Sequence, residues 1–216
     1  MKRNLHIVGL LCLAFIITDS LVAQQMDFQL WTSAGISKEF SKKFTVGGQF
    51  QTRLNQNISR VNTTFGELGA KYSLSDWYKV GANYRFGSKG SGLNQRVDFE
   101  NTFRIKLDGE RFYLRILVQR DFYRNTIEDN NLRFRLKYQH KFNKKFKGYI
   151  AGEYFYAWEY SDGFSNWKRQ RYTGGFEYEF KKKSFIELFY RYQGDMNQAR
   201  PDQDYIFGIG YKLELD

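Results

Sequence analysis

The sequence is short of the residues on which several protein classes depend. It has one cysteine and one proline in 216 residues. The cysteine, Cys12, sits in an apolar N-terminal stretch behind Leu10 and Leu11, which are not the small residues of a lipid-attachment site. Beyond it there is no thiol, so disulfide staples and thiolate nucleophiles are excluded from the rest of the chain. Pro201, the sole proline, leaves long stretches free to form uninterrupted hydrogen-bonded ladders. Histidine is nearly as scarce, with only His6 and His140. After the first two dozen residues no apolar run reaches the ~18 residues of a helical membrane span. The mean hydropathy of −0.63 likewise excludes a helical membrane bundle. No Asp/Glu cluster has calcium-loop spacing and no glycine-rich phosphate loop appears, so neither metal nor cofactor is expected.

What the chain does have is aromatic and basic. Aromatics make up 19% of it, with 16 Tyr and 21 Phe, and 34 Lys+Arg stand against 23 Asp+Glu for a net charge of +11. Tyr and Phe favour strands and membrane interfaces. The N-terminus reads as a signal peptide. Lys2 and Arg3 precede an apolar run from Leu5 to Ile17, broken only by His6 and Gly9, and Leu21-Val22-Ala23 offers a cleavage site before Gln24. The expected plan is a leader over 1–23, cleaved near Ala23, and one domain over 24–216. In a cytosolic protein the basic excess would point to nucleic acid; in an exported one it does not.

The final stretch, Asp204 to Asp216, carries the pattern that the rest of the domain repeats. Tyr205, Phe207, Ile209, Tyr211, Leu213 and Leu215 fall on one parity, and Gly208, Gly210, Lys212 and Glu214 on the other. A strand sends successive side chains to opposite faces, so this segment has one apolar and one polar or small face. It also exceeds the roughly 9–11 residues that a tilted transmembrane strand needs. Phe44–Leu54, Asn62–Leu74, Tyr78–Phe86, Arg96–Leu107, Phe112–Asp121, Leu132–Phe142, Phe146–Tyr160, Arg169–Phe180 and Ile186–Tyr192 alternate in the same way. Tyr149 and Phe155 loosen the pattern in their strand. Met26–Phe40 alternates least clearly.

The connections alternate too. Tight turns centre near residues 42, 76, 109, 144 and 182, with Asp108-Gly109 the strongest hairpin signal. Longer polar connections fall between them, among them Gly87–Gln95. Phe-x-Lys-Lys-Phe occurs at both Phe40–Phe44 and Phe142–Phe146. Short turns alternating with longer loops around strands of about ten residues predict an all-β transmembrane up-and-down antiparallel barrel of about 10–12 strands, with turns periplasmic and loops extracellular. A soluble barrel would turn the apolar face inward instead. In a membrane the register is forced, because Arg133, Arg135 and Lys137 on a lipid face would cost about 2–4 kcal/mol each near midplane. The strand count comes to about eleven, and bacterial single-chain barrels have even counts. Residues 26–40 are therefore expected to split, or to tuck against a ten-strand barrel.

Several segments also carry a family resemblance. Leu30–Phe44 (LWTSAGISKEFSKKF), Phe65–Leu74 (FGELGAKYSL), Val80–Phe86 (VGANYRF), Arg169–Lys183 (RQRYTGGFEYEFKKK) and Asp204–Tyr211 (DYIFGIGY) resemble domain-of-unknown-function family 2490, predicted outer-membrane barrels of Gram-negative bacteria. The resemblance implies the barrel and its outer-membrane location, and no activity.

The polar parity supplies the candidate lumen residues: Arg53, Glu67, Lys71, Lys79, Arg85, Arg96, Asp98, Glu100, Arg104, Arg115, Asp121, Arg133, Arg135, Glu153, Arg169, Arg171, Glu177, Glu187 and Arg191. Two roles are open to them, a salt-bridged filling or the wall of a narrow pore. A barrel of eight strands is filled by its side chains and one of 16–18 leaves a channel. The arginine excess predicts that any permeant solute is anionic. Cross-strand pairing of these arginines with Glu153, Glu177 and Glu187 is expected to occlude the lumen. The rival classes are a lipid-modifying enzyme of the outer leaflet and a barrel for a hydrophobic ligand. Against an enzyme, His140 lies beside a tight turn at the periplasmic end and points outward, with no nucleophile arranged around it. No catalytic residue is expected. The expected partners are outer-membrane lipid and, through the last strand, the barrel-assembly machinery.

Overall fold

A computed structural model describes residues 26–90, 92–123, 129–158, 166–198 and 201–215. The leader expected over 1–23, with Cys12 and the expected cleavage site, lies outside them. Eleven strands follow in order: β1 (Met26–Glu39), β2 (Phe44–Asn55), β3 (Arg60–Ser73), β4 (Tyr78–Lys89), β5 (Gly92–Leu107), β6 (Glu110–Tyr123), β7 (Asp129–Lys141), β8 (Phe146–Trp158), β9 (Asn166–Lys181), β10 (Ser184–Asp195) and β11 (Gln203–Leu215). Each pairs with its sequence neighbour antiparallel, and the sheet closes on itself.

The closure corrects the expectation for the N-terminal segment. β1 is an ordinary 14-residue strand, neither split nor tucked aside. It pairs antiparallel with β2, Leu30 opposite Leu54 through Glu39 opposite Thr45. On its other side it pairs parallel with β11, Met26 opposite Gln203 through Lys38 opposite Leu215. The physical reason is geometric. With eleven alternating strands the first and last run the same way, so the closing seam can only be parallel. A parallel ladder is slightly weaker per residue than an antiparallel one. Two open edges in hydrocarbon would cost several kcal/mol for every unsatisfied backbone group, so the weaker ladder wins. The even-count rule yields to closure.

The tight turns are built by local hydrogen bonds. In both Phe-x-Lys-Lys-Phe turns the first phenylalanine N–H donates to the carbonyl of the second, Phe40 to Phe44 at 2.9 Å and Phe142 to Phe146 at 3.1 Å. A side chain in the turn caps the amide of the second phenylalanine. Ser41 Oγ accepts from Phe44 N at 3.1 Å, and Asn143 Oδ1 accepts from Phe146 N at 2.8 Å. Gly109 has a φ of +72°, as the Asp-Gly hairpin requires. The connection expected over Gly87–Gln95 is mostly strand, since β4 runs to Lys89 and β5 begins at Gly92. Gly87 pairs with Phe65 in the ladder, and a Cβ there would stand 2.2 Å from the Thr64 carbonyl oxygen, which is why the position takes glycine. Glycine in a strand marks such a close backbone approach.

The outer face is apolar over its whole width. Leu68, Ile105, Leu136 and Ile150 are each more than 60% exposed there. Rings collect at the turn ends of the strands. Examples are Phe40 with Phe44, Trp77 with Tyr78 and Phe103, and Phe146 with Phe176. An apolar wall of this extent is stable only against lipid, with aromatic side chains at its edges. The barrel spans a membrane.

The parallel seam has a direct test. A Cβ at Gly210 would lie 3.0 Å from Ser33 Oγ across β1 and β11. Ser33→Cys with Gly210→Cys, made on a Cys12→Ser background, is expected to form a disulfide on mild oxidation and to shift the denatured band on a gel. The pair Ser33→Cys with Gly152→Cys, on the outer face of β8, is expected to stay unlinked. Failure of the first pair to cross-link would reinstate a ten-strand barrel.

Candidate functional site: the charged lumen

Alternation on eleven strands sends one side chain in two into the interior. Two cavities lie there, stacked along the axis. The one at the loop end is about 960 Å³ and the one at the turn end about 370 Å³. Twelve cationic side chains and nine carboxylates line the larger. Of the candidate residues, Arg53, Glu67, Lys71, Arg85, Arg96, Asp98, Glu100, Arg115, Asp121, Arg133, Arg135, Glu153, Arg169, Arg171, Glu187 and Arg191 face it. Glu177 faces the smaller cavity. Lys79 and Arg104 share the inward parity but sit at the turn end of β4 and β5, outside both cavities. Arg104 instead closes a turn, its Nη2 donating to the Asp76 carbonyl at 2.5 Å.

Glu153 is the hub of the charge arrangement. It is 6% exposed. Arg133 Nη2 and Arg115 Nη2 donate to its Oε1 at 2.8 and 2.9 Å, and Arg171 Nη1 stands 3.7 Å from its Oε2. Around the wall, Arg96 grips Asp121 with both Nε (2.7 Å) and Nη2 (3.1 Å). Arg85 grips Glu67 at 2.9 and 2.6 Å, and Lys71 pairs with Glu100 at 2.7 Å. Bidentate guanidinium–carboxylate pairs are the geometry in which a desolvated charge is best compensated. The other two expected acids take different partners. Glu177 meets Lys147 at 2.5 Å, and Glu187 accepts from the Tyr149 hydroxyl at 2.5 Å. Arg169 pairs with Asp195 at 2.7 Å.

Aromatic rings inside the barrel flank several of the guanidinium groups, paired and unpaired alike. Trp31, Phe65 and Phe155 are buried on the inward parity. Arg53 lies 3.8 Å from the Trp31 ring and 5.1 Å from Phe65, and Arg85 lies 3.8 Å from Phe65 on its other side. Arg133 and Arg171 each lie 4.5 Å from Phe155. Arg191 stands 5.0 Å from Trp31 and 4.8 Å from Phe189. A desolvated cation over a ring gains on the order of 2 kcal/mol, and guanidinium is weakly hydrated enough to accept the exchange. Sequence reasoning missed these rings, having seen Phe155 only as a loosened pattern. The signal was there: an aromatic on the polar parity, with arginine beside it on the next strand, as Trp31 stands opposite Arg53 and Phe155 opposite Arg133.

A family model described as Protein of unknown function (DUF2490) matches residues 28–204. The chain belongs to this family. No curated protein matches it significantly. Among solved structures, this DUF2490 chain is similar to "NanC porin structure in rhombohedral crystal form", at 12% identity and a TM-score of 0.52, over 77% of this chain and 86% of that one. It is similar to "KdgM porin in complex with disordered oligogalacturonate", at 14% and 0.50, over 83% and 93%. It is also similar to "Bacterial polysaccharide outer membrane secretin", at 12% and 0.52, over 77% of this chain and 63% of that one. The family member thus spans less than two thirds of the secretin. At these identities the likeness is one of fold, and the fold is a porin-like barrel.

His140 stands on the outer face at the turn end, its Nδ1 3.9 Å from Glu110 and its ring edge-on to Phe142. Among the described residues no group of His, Cys, Asp and Glu could hold a metal ion.

The hub sets a stability prediction. Glu153→Gln keeps the shape and leaves three arginines short of a buried countercharge, so unfolding in detergent should lose about 3–5 kcal/mol. Glu177→Gln, in a pair that is more open to solvent, should cost no more than about 1 kcal/mol. Equal losses for the two would mean that Glu153 is not a hub.

Proposed function

We propose that this barrel lies in the outer membrane and is a narrow pore that prefers small anionic solutes, its lumen held partly closed by its own charges. One observation carries the reading. Arg53, Arg135 and Arg191 line the larger cavity and enter no ion pair among the described residues. Arg53 donates to Gln51 at 2.7 and 3.0 Å, and Arg191 to Thr173 at 2.9 Å. These partners fix the side chains without cancelling the charge, so a net positive field faces the cavity. An anion entering from the loop end exchanges its water for guanidinium donors already turned toward it.

The location is supported by the leader that the sequence predicts over 1–23 and by the likeness to an outer-membrane secretin. The last strand is then a natural contact for the barrel-assembly machinery, and the apolar wall for outer-membrane lipid. An enzyme of the outer leaflet gains no support, because His140 is on the lipid side at the opposite end. A barrel for a hydrophobic ligand gains none either, because the cavity wall is largely polar and charged.

In planar bilayers the protein is expected to pass small currents whose reversal potential in a salt gradient has the sign of anion preference. Arg133→Ala with Arg135→Ala is expected to enlarge the conductance, by removing side chains that fill the larger cavity. Oligogalacturonate, named with one structural neighbour, is a suitable polyanionic blocker. Large steady steps from the unmodified protein would overturn the partly closed lumen, and cation preference would overturn the anion pore.

A further inference from the structure

The two cavities share six residues: Ser33, Gln49, Glu67, Lys71, Asn83 and Glu187. These six lie where the two cavities meet, which makes this the neck between them. The turn-end cavity is also off-centre. Its floor and near wall are Gly35, Ser37, Gly47, Gly69 and Gly210, on β1, β2, β3 and β11. The opposite side is filled. There Lys137 of β7 lies 4.1 Å from the ring of Tyr149 of β8, which is itself buried, while Phe185 of β10, next to β11, bounds the cavity at its side. The open route therefore runs along the β1–β2–β11 wall.

Lys71 is the one cation among the six. The acids at the neck are fixed, Glu67 between Arg85 (2.6 Å) and Gln49 (2.9 Å), and Glu187 under the Tyr149 hydroxyl. Lys71 is held by a single ion pair, to Glu100 at 2.7 Å, and half of its side chain faces the cavity space, against 5% for Glu100. Glu100 has a second cation to hand in Arg115, at 3.8 Å. When Lys71 swings away to meet a passing anion, the buried carboxylate it leaves keeps a countercharge. The lysine end of the pair is half exposed, and Arg115 stays beside the carboxylate when Lys71 leaves, so the exchange strands no buried charge.

From this we infer that Lys71 is the selectivity-determining residue of the neck, a tethered cation that carries an anion from the arginine-lined cavity past Glu67 and Glu187. The inference rests on the anion-pore reading, and its test separates the two. Reversal potentials in a salt gradient are compared for the unmodified protein, Lys71→Arg, Lys71→Glu and Lys212→Gln, the last altering a lysine that lines only the turn-end cavity. Lys71→Arg and Lys212→Gln are expected to keep the sign, and Lys71→Glu to reverse it. An unchanged potential in Lys71→Glu overturns the role of Lys71 while leaving the anion pore standing. A cation-preferring unmodified protein overturns the anion pore, and a further shift toward cations in Lys71→Glu would still place Lys71 at the filter. Should the barrel carry no current, thiol labelling decides. Lys71→Cys on a Cys12→Ser background is expected to react with a small charged methanethiosulfonate and not with a bulky polyethylene-glycol maleimide. Ile150→Cys, on the lipid face, is expected to react with neither. No reaction of the small reagent at position 71 overturns the inference.

Discussion

Inside a hydrocarbon layer a backbone N–H or C=O finds a partner in the chain or goes without, at a cost of several kcal/mol for each. In this protein that demand outranks every local preference. It brings residues 26 and 203 side by side although they stand at opposite ends of the domain, and it accepts a parallel seam where every other pairing is antiparallel. Closure then fixes the rest in sequence. A closed sheet in lipid must turn its apolar parity outward, which sends Leu68, Leu136 and Ile150 to the membrane and the arginines inward. The inward set must then be made tolerable in a space too small to hydrate it fully.

Two devices make it so. The first is pairing, with Glu153 serving three arginines and Asp121 and Glu67 each gripped by one. The second is the placing of arginines against buried rings, as Arg53 lies on Trp31 and Arg133 and Arg171 flank Phe155. The devices have different consequences. Pairing neutralises a charge, whereas a ring leaves it intact while lowering the cost of burying it. The second device therefore keeps a net positive interior stable.

Much of this was legible in the residues. The last strand, with Tyr205, Phe207, Ile209 and Tyr211 on one parity, is what its sequence says it is, because a period of two depends only on local geometry. So are the five tight turns, whose capping residues Ser41 and Asn143 lie within the turns they close. The fate of β1 was not legible. Its inward side chains, Gln29, Trp31, Ser33, Gly35 and Ser37, range from indole to a hydrogen atom, which blurs the alternation. Its second neighbour comes from the far end of the domain, and no local pattern encodes that. The lumen divides along the same line. Parity names which charges point inward; which carboxylate meets which guanidinium depends on cross-strand register and on side-chain reach across the barrel. Glu187, expected to meet an arginine, is taken by the Tyr149 hydroxyl, a group whose inward position was visible only as a flaw in its strand.

The distribution of small residues completes the logic of the interior. Near the turns, the β1–β2–β11 wall presents Gly35, Ser37, Gly47 and Gly210, while the facing wall presents Tyr149, Lys137 and Lys147. A filled barrel would spread bulk evenly, since voids forfeit contacts on every side. Here the bulk is on one side, and the space it leaves is continuous with the neck at Lys71. Glycine is also costly in a strand, being both flexible and unable to pack. At Gly47 a Cβ would meet the Ile36 carbonyl oxygen at 3.0 Å, so backbone crowding explains that one, whereas at Gly69 the close group is the Asn83 side-chain amide, which can turn away. At Gly35 and Gly210 the nearest atoms stand at 3.4 Å and 3.0 Å, and the close one at Gly210 is only the Ser33 hydroxyl, which can turn away. Crowding does not demand glycine at those two positions, and what their bareness does preserve is the open route along the seam.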